Sequence, residues 1–460
     1  MNGTDSNVKG SRVKDMTMGS PVRLMVSFAI PLLLGNLFQQ FYNLFDAAIV
    51  GRVLGPNALA GVGASSSVQF LVIGFCLGVC SGFAIPVAQR FGARDYSQMR
   101  RFVYNSLFLV LVISLVLTVT TAALTPRILH LLHTPEDIFS DAYDYLFVLF
   151  LGIPFTMLYN SLSGILRAVG DSRTPFIFLV ISTILNIVLD TLFILVFRMG
   201  VMGASIATVI SQAVSGILCA IVIYRKFNIL RLKREDRVIG RPYLVKLIAM
   251  GVPMGLQFSI TAIGSMVMQS ANNSLGSVYV SGFTAGMKIK QFAMCPFDAM
   301  ANAVATFAGQ NYGAGKVSRI KQGIKEGLLI SIVYGILIGL VLIFFGRTMS
   351  MLFISPSQTQ ILDASALYLK RMGTCYWILA ILNITRMSCQ GLGFSGRTIF
   401  SGTSEMIARI FVSFAFVPVF GYDAITWADQ VAWSAGVLYI APTCYYCVKK
   451  IEKRLGKTNA

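Results

Sequence analysis

Apolar stretches of about 20 residues recur twelve times along this chain, and they constrain its fold more than any other feature. A helix of that length crosses a hydrocarbon layer roughly 30 Å thick with its backbone hydrogen bonds satisfied internally. Only 12% of the residues are charged, against roughly 25% in soluble globular proteins. The sequence therefore predicts an all-α polytopic membrane protein with 12 transmembrane helices, which excludes a soluble enzyme. The predicted spans are 24–50, 58–86, 102–124, 142–166, 175–197, 201–224, 247–271, 279–308, 326–346, 366–392, 399–420 and 428–448.

The lysines and arginines lie in short clusters between these spans and form no separate basic domain. A formal net charge of +19 therefore does not indicate a nucleic-acid partner. If the N-terminus is cytoplasmic, 28 of the 38 cations fall in inner segments and four in outer ones. Cytoplasmic segments of membrane proteins carry an excess of Lys and Arg. We therefore expect a multi-pass protein of the cell (inner or plasma) membrane, with both termini cytoplasmic.

The longest polar break divides the twelve spans into two groups of six that are similar to each other. Ile30-Pro31 recurs as Val252-Pro253, shifted by 222 positions, and other short motifs recur with nearly the same shift. An even number of spans in each repeat keeps both copies in one orientation, related by a pseudo-two-fold axis along the membrane normal. The predicted organisation is an N-terminal tail (1–23), an N-lobe (24–224), a solvated cytoplasmic linker (225–246), a C-lobe (247–448) and a C-terminal tail (449–460).

The first span carries a polar stripe at membrane depth. It consists of Asn36, Gln39, Asn43 and Asp46, which are spaced by three, four and three residues. This spacing places all four side chains on one face of a helix, and that face must meet water or protein. Carboxylates within spans are costly and by default mark ion paths or paired structural sites. Asp46 is therefore a candidate ion-binding residue, with capping or pairing inside a packed bundle as the alternative.

The fifth and sixth spans bring further oxygen atoms to a similar depth. Asn186 and Asp190 are four residues apart and share a helix face, roughly 10 Å below the outer end of the fifth span. Thr208 lies at a similar depth on the sixth span, and Asp46 is near the outer end of the first. These groups are expected to converge in the outer half of the first lobe. Such donors suit a hard cation, whereas two close carboxylates without a metal would share a proton.

Several motifs recur in order along the chain. They are AQRFGA at 88–93 and GQNYGA at 309–314, LRAVGDSRTP at 166–175, and YNLFD at 42–46 before Gly51-Arg52. Together they resemble the multidrug and toxic compound extrusion (MATE) family over residues 24–448. The resemblance implies two six-helix lobes forming a V, a central cavity, and export of organic cations in exchange for inward sodium or protons.

The resemblance also implies roles for individual residues. The coupling-ion positions, where Na⁺ or H⁺ would bind with no other cofactor, match Asp46, Asn186, Asp190 and Thr208. The cavity-lining positions match Gln39, Tyr42, Tyr145 and Asn160, and the first-span stripe adds Asn36 and Asn43. Pro31 removes a helix hydrogen bond and corresponds to a hinge in the family, although an ordinary kink is equally compatible with it.

The second half departs from the first at the positions of its acids. The repeat places Met268 opposite Asp46 and Phe414 opposite Asp190, so only the first lobe is predicted to hold a strongly polar ligand set. Relatives that carry an acid in the seventh span differ from this chain, which has Gln257 in that region.

Other charges in the second half are predicted to be structural. Glu405 and Arg409 are four residues apart, which favours an ion pair on one helix. For Lys288 and Lys290, snorkelling or an internal pair is favoured over a role in lining the cavity, and Asp298 is treated in the same way.

The sequence thus predicts a secondary active multidrug efflux antiporter that exports amphipathic organic cations or drugs and works as a monomer. A lipid-linked oligosaccharide flippase of the same wider superfamily is the alternative, but it would favour a more basic cavity and additional spans. A channel would need a selectivity ring, and an intramembrane enzyme would need a catalytic motif that is not legible here. His130 and His133 are expected in an outer loop. The eight cysteines are expected to be buried thiols without a metal.

Overall fold

The computed structural model describes residues 13–131 and 134–456, and within these ranges the chain is helical with no β-strand. Predictions for residues 1–12 of the N-terminal tail, for His133 and for residues 457–460 lie outside the described residues. The described chain divides into two compact units. Unit 1 contains residues 13–16 and 30–255, and unit 2 contains residues 17–29 and 256–456.

Eight helices contribute to unit 1. They are α1 (Pro21–Val53), α2 (Pro56–Gly92), α3 (Tyr96–Leu131), α4 (Glu136–Leu151), α5 (Ile153–Ala168), α6 (Arg173–Thr191), α7 (Gly200–Lys226) and the first half of α8 (Arg241–Asn273). One π-helical turn, Leu192–Val196, extends α6. The core of the unit lies among α2, α3, α4 and α5, where Phe83, Phe150 and Met157 are almost completely buried.

Unit 2 contains the second half of α8, the start of α1, and six further helices. These six are α9 (Ser277–Gly313), α10 (Val317–Ser350), α11 (Thr359–Gly391), α12 (Ser395–Phe411), α13 (Val417–Phe420) and α14 (Tyr422–Gly456). A second π-helical turn, Val412–Phe416, joins α12 to α13.

The described helices account for twelve spans. Nine helical segments are long and apolar enough to cross a membrane, and the bent pair of α4 and α5 makes a tenth. The other two spans are α9 and α11, which contain 37 and 33 residues but are less apolar than these ten. The predicted all-α, twelve-span fold is therefore confirmed.

The helix boundaries repeat with the shift seen in the sequence. α2 begins at Pro56 and α9 at Ser277, each directly after a glycine with positive φ: Gly55 (φ 93°) and Gly276 (φ 100°). The π turns at Leu192–Val196 and Val412–Phe416 are likewise related by 220 positions. Since only glycine adopts this backbone conformation without strain, the turn before each second span is fixed by sequence in both halves.

The fourth span, predicted over 142–166, is not one continuous helix. It is broken at Gly152 into α4 and α5, whose axes differ by 49°. Pro154 follows in the first turn of α5, where proline is tolerated because the first N–H groups of a helix lack internal partners. A Cβ atom at Gly152 would lie 2.2 Å from Val209 Cγ2, so the glycine lets α7 pack against the bend.

Two helices are divided between the units, and both divisions are close to a proline. α1 passes from unit 2 to unit 1 at Ile30, next to Pro31, and α8 passes from unit 1 to unit 2 after Gly255, close to Pro253. Both prolines lie inside continuous helices. The predicted lobe limits and the role of Pro31 as a hinge stay predictions.

The first half of α8 packs closely against α2 through glycines. A Cβ atom at Gly82 would lie 2.5 Å from Gly251 Cα and 2.6 Å from Met250 O. At Gly78 the corresponding distances are 2.6 Å to Met254 O and 2.7 Å to Gly255 Cα. Small residues allow two backbones in a membrane to approach this closely, so residues up to Gly255 are an integral part of unit 1.

The segment between α7 and α8, which was expected to be a solvated linker, is exposed over more than half of its residues but also makes buried contacts with unit 1. Asp236 is fully buried and accepts a hydrogen bond from Arg100 Nε on α3 at 2.5 Å. The Asn105 side chain, also on α3, donates to Val238 O at 3.0 Å and accepts from the Gly240 N–H at 3.1 Å. The linker is therefore docked on α3, although most of its cations are exposed.

Two smaller expectations change as well. His130 lies in the last turn of α3 and not in a loop. Seven of the eight cysteines are buried as expected, but Cys375 is half-buried.

Candidate functional site

The predicted oxygen cluster of unit 1 begins with Asp190 and Asn186 on one face of α6. Both side chains are buried, with Asp190 completely inaccessible. With its amide oriented to satisfy both neighbours, Asn186 donates to Asp190 Oδ2 at 2.9 Å and accepts from the Thr208 N–H at 3.1 Å. This amide therefore joins the carboxylate of α6 to the backbone of α7.

Tyr42 connects α1 to the same cluster. Its hydroxyl lies 2.9 Å from Thr208 Oγ1, and the Thr208 hydroxyl donates to Ala204 O at 3.1 Å. Because a threonine hydroxyl has one proton, Tyr42 is the donor in the first of these hydrogen bonds. The three helices α1, α6 and α7 are thus linked by one chain of hydrogen bonds.

Asp46 lies one turn beyond Tyr42 on α1 and within electrostatic range of Asp190. Asp46 is half-buried, whereas Asp190 is fully buried. In each carboxylate Oδ1 is buried without a hydrogen-bond partner in the described structure. Two carboxylates with free oxygens at membrane depth repel each other unless a cation or a proton lies between them.

Tyr145 on α4 completes this side of the cluster. Its phenol is buried and lies close enough to both carboxylates to interact with them electrostatically, and the Gln69 side chain of α2 is a further neighbour. Gln69 was missed as a site residue, although the repeat of Gln69-Phe70 as Gln291-Phe292 had marked it in the sequence.

A small, partly open cavity lies beside the cluster between α1, α6 and α7. Four predicted residues line it, and five others were missed. The predicted ones are Gln39, Tyr42, Asn186 and Thr208, and the missed ones are Leu179, Ser182, Thr183, Ser211 and Gln212. The missed residues follow helical spacing from Asn186 and from Thr208, so the same periodicity argument would have found them.

The remaining predicted residues lie apart from this lining. Asn36 is half-buried and Asn43 is exposed, both on α1. Asn160 on α5 uses its amide to donate to Thr156 O of its own helix at 2.8 Å. Their proposed contact with substrate stays a prediction.

Unit 2 contains a group of buried charges around Asp429, a residue that the sequence reasoning did not single out. Asp429 on α14 is 1% exposed and accepts from Lys290 Nζ, from Arg409 Nε and Nη2 (3.2 and 3.1 Å) and from the Tyr368 hydroxyl (2.9 Å). The ammonium group of Lys290 also lies 5.5 Å from the centre of the Trp433 ring. Unit 2 thus also holds strongly polar groups, but these pair with one another, and a ligand set for the coupling ion in the first half alone stays a prediction.

The predicted pair of Glu405 with Arg409 is also wrong. Glu405 instead pairs with Arg386 on α11, while Arg409 turns to Asp429. The spacing of four places both side chains on one face of α12, but each of them pairs with an opposite charge on a neighbouring helix. Lys290 has the internal partner that was favoured for it.

The position that carries an acid in some relatives is neutral here and lies in an amide network. Gln257 Oε1 on α8 accepts from Gln390 Nε2 on α11 at 2.7 Å, and Gln390 Nε2 also lies 3.2 Å from Thr398 Oγ1. This pairing leaves no carboxylate at that point of unit 2.

The family model MatE matches residues 31–192 and 253–415, one match in each half of the internal repeat. The chain belongs to the MatE family. A probable multidrug resistance protein of Bacillus subtilis, YpnP, is 33% identical over 310 residues, covering 66% of this chain and 68% of the relative. The probable multidrug resistance protein NorM of Thermotoga maritima is 24% identical, with 89% and 88% covered.

A MATE transporter solved in complex with MaL6 has the same fold as this MatE chain. The TM-score is 0.90 at 23% identity, covering 96% of this chain and all of the other. This MatE protein is therefore a multi-pass membrane protein of a multidrug efflux transporter family and not an enzyme.

Proposed function

We propose that this MatE protein is a secondary active antiporter that exports amphipathic organic cations in exchange for Na⁺ or H⁺. The observation that carries the proposal is the pair of carboxylates, Asp46 and Asp190, beside the cavity of unit 1. The coupling-ion set would be Asp46, Asn186, Asp190 and Thr208. Each of these residues offers an oxygen atom, which is the donor type that sodium prefers and that a proton can join.

The carboxylate pair supports exchange because its charge can be balanced in more than one way. A proton, a sodium ion or the cationic group of a substrate can each reduce the repulsion between Asp46 and Asp190. Binding of the coupling ion at this pair then weakens binding of the cationic substrate, and the reverse. In alternating access, such competition couples the two movements when the ion and the substrate favour different states.

The lining of the cavity favours this function over the flippase alternative. All nine lining residues are uncharged, and eight of them carry a hydroxyl or an amide group. A flippase of lipid-linked oligosaccharides would need cations there to hold the diphosphate. The uncharged lining next to two carboxylates better suits a polar substrate with a positive group.

The orientation and the assembly state belong to the same proposal. The asymmetry of Lys and Arg supports a cell-membrane protein with both termini in the cytoplasm. Because one chain supplies both carboxylates, a monomer contains the complete coupling set and needs no second copy.

The experiment is efflux of a fluorescent organic cation, ethidium, from proteoliposomes with independently set sodium and pH gradients. A rate that follows an inward gradient of Na⁺ or H⁺ supports the proposal and identifies the ion. Efflux that is indifferent to both gradients contradicts antiport. Efflux driven only by ATP would point to another class of transporter.

A further inference from the structure

The linker between α7 and α8 is held in one position on the surface of unit 1. Phe227 and Leu230 are 2% and 1% exposed and belong to the core of the unit, and Asp236 is buried against Arg100. Asp236 Oδ2 also accepts a hydrogen bond from the Lys233 N–H at 3.1 Å. This part of the chain has therefore already lost its conformational entropy, and a partner that binds it need not order it.

The docked linker presents cations outwards with few acids to balance them. Six exposed cations have no ion pair within the described residues. One of them, Arg231, lies over the Tyr224 ring at 5.3 Å and donates to Tyr224 O, and the other five are Arg225, Lys226, Arg234, Arg237 and Arg241. We call these five residues the linker basic surface. The exposed acid of the segment, Glu235, lies 3.7 Å from Lys233, and Asp236 is used by Arg100. The surface thus has an uncompensated positive charge.

Exposed apolar side chains lie among these cations. Tyr224 is 70% exposed, Val238 54% and Ile239 49%. Tyr224 is in the last turn of α7, where the apolar span ends, so the segment lies at the level where the hydrocarbon layer meets the headgroups. Cations interleaved with aromatic and aliphatic side chains at this level match both parts of a lipid, its charge and its acyl chain.

We propose that the linker basic surface binds the anionic headgroups of membrane phospholipids. Clusters of four to eight Lys or Arg residues next to a transmembrane helix attract anionic lipids. Each cation near the membrane surface raises the affinity roughly fivefold. A soluble anion would use the charge alone and would gain nothing from Tyr224, Val238 and Ile239. The surface therefore favours a lipid over free phosphate or nucleic acid.

The first test removes three of the cations, with Arg234→Gln, Arg237→Gln and Arg241→Gln in one variant. Native mass spectrometry of the full-length protein with equal amounts of phosphatidylglycerol and phosphatidylcholine counts the retained lipids. We expect the wild type to retain phosphatidylglycerol selectively and the variant to lose most of this selectivity. All three residues are exposed, so the thermal unfolding midpoint should stay within a few degrees.

The matched control removes three cations at the end of α14, with Lys449→Gln, Lys450→Gln and Lys453→Gln. The control has the same net charge as the first variant but keeps the linker basic surface. We expect it to retain more phosphatidylglycerol than the first variant does. Equal losses in the two variants would show that net charge alone attracts the lipid and would overturn the proposal.

A second test uses Asp236→Asn, which makes the protein more positive but removes the anchor of the linker. Simple attraction by net charge predicts more phosphatidylglycerol bound to this variant. The docked surface predicts less, because the cations lose their common orientation. If the variant does not fold, Arg100→Met with Asp236→Leu replaces the pair by apolar contacts and should retain wild-type lipid binding.

The last arm separates a lipid from a soluble anion. Inorganic phosphate, added in hundredfold excess over phosphatidylglycerol at constant ionic strength, should leave the retained lipid unchanged. Displacement of the lipid by phosphate would identify the surface as a site for small soluble anions and would contradict the proposal.

Discussion

Asp190 and Asp46 are the two residues on which ion coupling is expected to depend. Asn is nearly isosteric with Asp but cannot be negatively charged. We expect Asp46→Asn and Asp190→Asn each to insert and fold but to lower ion-dependent efflux at least roughly tenfold, since losing one charge at this depth changes ion affinity by more than about 1.4 kcal/mol. The measurement is the initial efflux rate against sodium concentration and pH, at matched protein level.

The internal repeat supplies matched controls for these two variants. Met268→Leu and Phe414→Leu change the positions related to Asp46 and Asp190 by the repeat, and Phe414 is 72% exposed. We expect both to keep the ion dependence of the wild type. An effect as large as that of Asp190→Asn would move the coupling site into unit 2, where Asp429 and Asp298 are the next candidates.

Asp429 is expected to matter for stability more than any acid at the surface. Asp429→Asn leaves Lys290 and Arg409 buried without a counter-charge, which costs roughly 3–5 kcal/mol. Asp363→Asn is the control, because Asp363 pairs with Arg347 at 3.0 Å with both side chains largely exposed, and such pairs contribute about 0–1 kcal/mol. Thermal unfolding in detergent should separate the two variants clearly. An Asp429→Asn protein as stable as the wild type but without efflux would instead indicate a role in transport.

At this scale, the sequence predicted the groups that repeat along one helix and missed those that meet across helices. Asp190 and Asn186 could be placed together because a spacing of four on one helix fixes a shared face. Lys290 and Asp429 are 139 positions apart, so their pairing depends on how α9 and α14 pack, which no local pattern encodes. The pairing of Glu405 with Arg409 was predicted wrongly for the same reason, because Glu405 pairs with Arg386 on a neighbouring helix.

Among the helices, the contact of α2 with α8 is expected to be sensitive to a single side chain. Gly82→Leu would place atoms where Gly251 Cα and Met250 O already lie, so the helices would have to separate. We expect this variant to unfold at least several degrees lower or to fail to accumulate. Gly63→Ala on the same helix is the control, since a Cβ atom there meets nothing within 4 Å. Equal behaviour of the two variants would contradict this account of the packing.

Helix boundaries were predicted well where they coincide with turn residues and less well where a helix only bends. The starts of α2 and α9 follow Gly55 and Gly276, which the sequence shows directly. The break at Gly152 was missed because the apolar pattern runs through it without a polar interruption. The docking of the linker was missed because its composition resembles that of a solvated loop, and only a few buried contacts, such as the Arg100–Asp236 pair and Phe227, hold it in place.

For the whole molecule, the division of α1 and α8 between units predicts which fragments can fold. A fragment of residues 1–240 lacks the part of α8 that packs on α2, whereas residues 1–275 contain all of unit 1. We expect the longer fragment to be recovered from membranes in protease-resistant form and the shorter one to be degraded. Equal recovery would mean that α8 is dispensable for unit 1.

The same division sets an order of events for the nascent chain. Residues 17–29 leave the ribosome before nearly all of unit 1, yet their own compact unit is completed only after residue 256 and beyond have been translated. More than two hundred residues are therefore inserted while this opening segment waits without its final neighbours. Its apolar side chains must be shielded by lipid or by the insertion machinery throughout that interval, so this early segment reaches its final packing no sooner than the second half of the chain.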